Sequence, residues 1–200
     1  MAGPNKRLPT QERKAQILGC AARVFARSNY QKATTAEIAA EAGISEATIY
    51  SHFPSKRALF IEILQQMEET TALTLQEEVN KEHDALKVLR NIVGAFHSLM
   101  ASHPDEVKVK FQAVAQVHDK EIADLLYQDH KKYMRLVRGL IEKGIKQGTI
   151  RKLLDIDTTV LLFDGVGAFM HLMHILPFEA QSNEESVLKM VDGIIDSIRV

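Results

Sequence analysis

Residues 34–60 read TTAEIAAEAGISEATIYSHFPSKRALF, and each break in that stretch is a helix signal. Thr34 with Glu37 three residues on has the form of a capping box, in which a hydroxyl and a carboxylate satisfy the free N–H groups of a helix start. Ile38, Ala39 and Ala42 follow on one face, and Gly43 can take the left-handed conformation that closes a helix. Ser45 suits the N-cap of a further short helix carrying Ile49 and ending at Phe53. Pro54-Ser55-Lys56 then opens another. Two short capped helices around a tight Gly43-Ile44 turn outline a helix-turn-helix. Ala39 is small where the two helices cross, and Ile38, Ile44, Ile49 and Phe53 are placed to lock both onto a preceding helix. Glu46, Ala47, Thr48, Tyr50, Ser51 and His52 face outward. These are short or hydrogen-bonding side chains, suited to base edges and phosphates in a major groove.

The rest of the chain reads as helix in both directions. Thr10 to Ser28 carries Ile17, Ala21, Val24 and Phe25 at helical spacing. After the helix that runs from Lys56 to about Asn80, periodic segments span Asp84 to His103, Pro104 onward, Asp119 to Gln147, Asp157 to about Leu176 and Ser182 to about Arg199. The last opens on a second capping box, Ser182 to Glu185. All five prolines fall where helical patterns stop, Pro104 ending one segment and starting the next, as their cost inside a helix requires. One segment is ambiguous: Val107, Val109 and Phe111 alternate like a strand, whereas Val107, Phe111, Val114 and His118 fit a helix. No partner strand is visible, so helix is expected. The reading is all-α, with about nine helices and no sheet.

Composition narrows the function. The 200 residues carry 25 Lys and Arg against 26 Asp and Glu. Nine of the basic and only four of the acidic side chains lie in residues 1–60, a basic head on an acidic body. The single cysteine, Cys20, excludes an internal disulfide and a Cys-rich zinc module, and its place on the inward stripe of the first helix suits packing. The N-terminal stretch lacks the apolar run of a signal peptide, so a cytoplasmic protein is expected. Gly165 to Leu176 is apolar but interrupted by His171 and His174, so no membrane partner is expected. No phosphate loop, nucleophile elbow or His-Glu-x-x-His pair is present, so neither an enzyme nor a cofactor is expected. His171 and His174 could supply two metal ligands, but a third is not visible, and no metal is assigned.

The whole string from Thr34 closely resembles the DNA-binding signature of the TetR (tetracycline-repressor) family of bacterial transcriptional regulators. The elements that carry the resemblance are Thr35, Ile38-Ala39, Ala42-Gly43-Ile44-Ser45, Thr48-Ile49-Tyr50, His52-Phe53 and Ser55-Lys56 with Leu59. It covers residues 10–62; beyond that only helix number and order are similar. The resemblance implies a helix-turn-helix DNA-binding domain over residues 1–55 and a helical effector-binding and dimerisation domain over 56–200. It also implies a homodimer on a palindromic operator, most simply a repressor released by a small molecule. By position, Thr35, Thr48, Tyr50, His52 and Lys56 match places of DNA contact, mostly at phosphates, and Glu46 and Ala47 match places of base reading. Thr34 and Ser45, at the two helix starts, complete the DNA-binding set. Neither Glu46 nor Ala47 is the Arg that commonly reads guanine, and Ala36 departs from members with a long polar residue there. The competing reading is a helical small-molecule-binding or scaffold protein without specific DNA binding.

Two further sets follow from apolar surface. Met67, Phe96, Met100, Phe111, Val114, Leu126, Tyr127 and Met134 exceed the needs of a thin helical layer and suit a pocket for a mostly hydrophobic effector, with His97 and His130 to orient a polar end. Phe163 and Phe169, then Val187, Val191, Ile194 and Ile198, belong to two C-terminal helices more apolar than one inward face requires. A four-helix bundle between two subunits would cover them, which is also the dimer that the resemblance implies.

Overall fold

The computed structural model describes residues 9–152, 155–176 and 184–200. Among them run nine helices: α1 (Thr10–Ser28), α2 (Thr35–Ala42), α3 (Glu46–His52), α4 (Lys56–Lys81), α5 (Ala85–Ser102), α6 (Pro104–Val114), α7 (Lys120–Gln147), α8 (Ile156–Ile175) and α9 (Glu184–Ile198). The described residues hold no strand, only an isolated antiparallel bridge between Ile150 and Arg199.

The helix ends follow local chemistry. Thr34 Oγ1 accepts the Glu37 N–H at 3.2 Å, and Glu37 Oε2 accepts the Thr34 N–H at 2.8 Å, closing the capping box. Ser45, Ser55, Asp84, Asp119 and Asp155 cap α3, α4, α5, α7 and α8 with their side chains. Gly43 and Gly148, at φ +65° and +75°, end α2 and α7 in the left-handed region that a side chain disfavours. Ser182 of the second box lies outside the described residues.

Burial divides the molecule into two cores. The first joins α1, α2 and α3 to the opening turns of α4, through Leu64, and adds Val109 and Ala113 of α6 and Ile122 of α7. Phe25 and Phe60 meet edge to face at 5.6 Å at its centre. The second gathers the end of α4 with α5, α7, α8 and α9. The boundary drawn at residue 55 falls on the cap of α4, yet the first core continues well past it. Pro104–Val114 is helical although its apolar residues alternate, because α6 is wedged between the cores: Val107 is buried in one and Val109 in the other. Phe111, on neither side, is exposed.

Candidate functional site

α2 and α3 meet through Ile38, Ala39 and Ile49, all buried, and Gln16 of α1 donates to the Ala42 carbonyl at 3.2 Å. On the outer side Thr35 Oγ1 lies 2.7 Å from Glu46 Oε2 and 3.0 Å from the Tyr50 hydroxyl. The carboxylate can only accept, so Thr35 gives it the proton and accepts from Tyr50. Tyr50 is nevertheless 50% exposed. Thr34 and Ser45 have their hydroxyls engaged as helix caps, and Thr48 Oγ1 rests 3.0 Å from Ser45 Oγ. Glu46 and Ala47 are exposed, and Thr48 and His52 half-buried.

Lys56 does more than the sequence suggests. Its ammonium donates to the carbonyls of Tyr30, Ala33 and Gln31 at 2.8, 2.8 and 3.2 Å and sits 4.9 Å from the Tyr30 ring centroid. All three of its protons are engaged, so in this conformation Lys56 clasps the α1–α2 connection and has no donor left for a phosphate. Its neighbour Arg57 reaches the other way, with Nε and Nη2 donating to the two carboxylate oxygens of Asp119 at 2.6 and 2.8 Å. Nη2 also lies 2.7 Å from Glu121. The Arg57 hydrogen bonds hold the Asp119 carboxyl down at about 2. α6 and the turn after it hold the end of α1 and the same connection: Gln112 accepts from the Tyr30 N–H at 2.8 Å and donates to the Phe25 carbonyl at 2.9 Å, while Gln31 donates to Gln116 at 2.6 Å.

A cavity of about 240 Å³ lies between head and body, and a second of about 330 Å³ adjoins it within the body. The first is bounded by α1 (Ala15, Leu18, Gly19, Ala22), α4, α5, α6 and α8; the second by α4, α5, α6, α7 and α8. Thr71, Phe96, Lys110 and His171 belong to both walls, so those four side chains form the partition. Met67, Phe96 and Met100 line the first as expected, and Phe96, Val114, Leu126 and His130 the second. The other four expected residues line neither. Phe111 and Tyr127 are exposed, Tyr127 beneath Lys131. Met134 packs on the second core, and the His97 ring lies against His174 at 4.9 Å, its imidazole held below the ordinary value by burial and then by His174. Sequence reading missed the polar wall. Lys110 donates to Asp129 at 2.5 Å, His130 Nδ1 lies 3.4 Å from Asp164, and the buried Tyr133 hydroxyl donates to the Phe163 carbonyl at 3.4 Å. Burial also pushes the His171 imidazole down, with the Lys110 charge adding to the effect.

The C-terminal helices place their apolar residues on two faces. Phe163, Val187, Val191 and Ile198 are buried within the chain's own core, so these four residues are not available to a partner. The outward face carries Leu161, Leu162 and Phe169 of α8, Leu176 at its C-cap and Met190 of α9, all exposed, with Ile194 half-buried beside them. α8 is long and apolar enough to cross a bilayer by length and composition, with 33% of its apolar window buried here. His171 and His174 each turn Nδ1 onto the carbonyl one helical turn back, of Gly167 and Met170. Among the described residues no three His, Cys, Asp or Glu side chains cluster as metal ligands would.

Known proteins share both parts. Residues 17–63 match the family model of bacterial regulatory proteins, tetR family. The HTH-type transcriptional regulator LuxR of Vibrio harveyi is 27% identical over 163 residues, 82% of this chain and 79% of that one. A Saccharomonospora viridis structure in complex with choline superposes with a TM-score of 0.81 at 25% identity, covering 95% of this chain and 99% of that one. The transcriptional regulator FadR of Bacillus subtilis, solved with stearoyl-CoA, has the same fold with a TM-score of 0.72 at 19% identity, covering 91% and 95%.

Proposed function

Because the chain is a TetR-family DNA-binding regulator of transcription, we propose that it sits as a homodimer on a palindromic operator, represses from it, and is released when a small, mostly hydrophobic effector fills the cavity between head and body. Tyr50, Thr35, Thr48 and His52 hold phosphates, and Glu46 and Ala47 face base edges, where a glutamate can accept from a cytosine amino group and an alanine can touch a thymine methyl. Lys56 contributes by fixing the connection that presents these helices. The dimer forms through the outward apolar face of α8 and α9.

The observation that carries the release step is that one short helix serves both ends. α6 lines the cavity with Glu106, Val107 and Lys110, and two residues beyond Lys110 its Gln112 holds the last turn of α1, at the Phe25 carbonyl, and the start of the connection to α2, at the Tyr30 N–H. A ligand that wedges α6 aside therefore drags the reading head, and a change in the spacing of two heads breaks their fit to successive major grooves, ~34 Å apart. Structures of similar fold hold choline and stearoyl-CoA, which supports an occupied cavity without naming its occupant. The test is a fluorescence anisotropy titration on operator DNA selected from bacterial genomic fragments, with lipophilic compounds added to the complex. Release by a compound that binds the wild type, and loss of release in Gln112→Leu with ligand binding retained, support the reading. A ligand that occupies the cavity and leaves DNA affinity unchanged contradicts it.

A further inference from the structure

The two chambers differ from a simple apolar pocket in their charge. Glu106 lines the chamber beside α1, Asp129 and Asp164 the chamber beside α8, and Lys110 both. Three carboxylates thus face one ammonium. Lys110 is already matched: its Nζ lies 2.5 Å from Asp129, and both side chains are only about one-fifth exposed, at 19% and 21%. Among the described residues no lysine or arginine pairs with Glu106 or Asp164; Asp164 has only His130 Nδ1, at 3.4 Å. Even a protonated His130 leaves Glu106 uncompensated. His171, on the partition, adds no positive charge at neutral pH, since burial holds its imidazole below the ordinary value.

We infer that the effector is an amphipathic cation, with its apolar body among Leu18, Ala22, Met67 and Met100 and its positive end beside Asp164, Phe96 and Tyr133. This rests on the effector reading above and adds to it the ligand's charge and direction. An anion entering the same space would meet a lining of its own sign. To reach Lys110 it would have to displace Asp129 and leave that carboxylate half-buried without a partner, which is costly. A neutral polar end gains a hydrogen bond at most. A cation gains the Asp164 carboxylate, which no lysine or arginine offsets, beside the aromatic side chains Phe96 and Tyr133 of the same wall. The apolar end has room because Ala15, Gly19 and Ala22, small residues on one stripe of α1, form its floor.

The experiment compares three compounds of one shape, 4-phenylbutylammonium, 4-phenylbutanol and 4-phenylbutyrate, by calorimetric titration of the full chain at pH 8, above the ordinary imidazole range. The ammonium compound should bind about tenfold more tightly than the alcohol, and the carboxylate more weakly than either. Asp164→Asn, nearly isosteric, should erase the ammonium advantage while leaving the alcohol within about twofold. Thr71→Trp, which fills the partition, should abolish binding of the ammonium compound. A thermal melt checks that each variant is folded. Carboxylate binding as tight as that of the ammonium, or an advantage that survives Asp164→Asn, overturns the charge assignment; binding that survives Thr71→Trp overturns the location. If none of the three binds, the assignment fails as well. DNA release by some uncharged or anionic lipophile would then still uphold the effector reading, so the two can fail separately.

Discussion

Thr35 joins the two short helices through a single oxygen, which passes its proton to Glu46 and receives one from Tyr50. The half-exposed phenol spends its one proton on Thr35 in the free chain, so it reaches a phosphate only by turning that proton from Thr35 to the phosphate oxygen. Tyr50→Phe is therefore expected to weaken DNA binding by about tenfold, the worth of one good hydrogen bond at ~1–1.5 kcal/mol, and to do so on every sequence alike. Glu46→Gln should behave differently. Removing a negative charge from a surface facing phosphates raises affinity for non-specific DNA and relaxes preference at one base pair, which a binding-site selection with the variant would read out. Arg57 offers a residue-level test of the head–body joint. Its hydrogen bonds lower the Asp119 carboxyl to about 2 from an ordinary value of 3.8. A depressed carboxylate stabilises the fold above its unfolded pKa, and that contribution is lost as pH falls through the folded value. The melting temperature of the wild type should thus exceed that of Arg57→Gln by a constant margin above pH 5, and the margin should shrink between pH 4 and 2. A margin that persists at pH 2 would show that Asp119 is not the partner that matters.

At the level of helices, starts and stops are legible because short-range chemistry sets them. The box at Thr34 and Glu37, the cap at Ser45 and the left-handed Gly43 and Gly148 need nothing beyond their own turn. Thr34→Ala should cost about 1 kcal/mol in a denaturant titration, and Thr34→Ser almost nothing, since the hydroxyl is what closes the box. Which face of a helix meets which neighbour is not local, and here sequence reading goes only part of the way. Phe163 and Leu161 are equally apolar in the sequence, yet the first is fully buried and the second exposed, because α7 and α9 already cover one side of α8. The cavity is harder still. Phe111 and Tyr127 look like pocket residues by type but point away from both chambers. Lys110, Asp129 and Asp164 look like solvated charge but line them. The signal available is positional: Lys110 falls three residues after Val107 and four before Val114, and Asp129 three after Leu126 and four before Tyr133. A charge at helical spacing inside an apolar stripe marks a polar group turned inward.

On the scale of the whole molecule, the outward apolar face of α8 and α9 is the surface proposed for the dimer. Leu161, Phe169 and Leu176 recur on one side of α8, beside Gly165 and Ala168, which permit close approach of another helix. Met190, Gly193 and Ile194 do the same on α9. A double change, Leu161→Glu with Met190→Glu, places charges on exposed positions and should leave the monomer folded while abolishing self-association in sedimentation velocity. Ile198→Glu, by contrast, strikes the chain's own core and should simply unfold it. A folded double variant that still sediments as a dimer would move the interface elsewhere. The joint between head and body belongs to this scale too, for α6 both lines the cavity and holds the end of α1. The most direct measurement is selection of bound sequences from random duplex DNA by the wild-type chain, followed by footprinting of the enriched site with and without a cavity ligand. The expected result is a two-fold symmetric site with half-site centres about one helical turn apart, protected on two successive major grooves and lost when ligand is added. Enrichment of no sequence, or of a single asymmetric half-site whose protection is indifferent to a bound ligand, would contradict it.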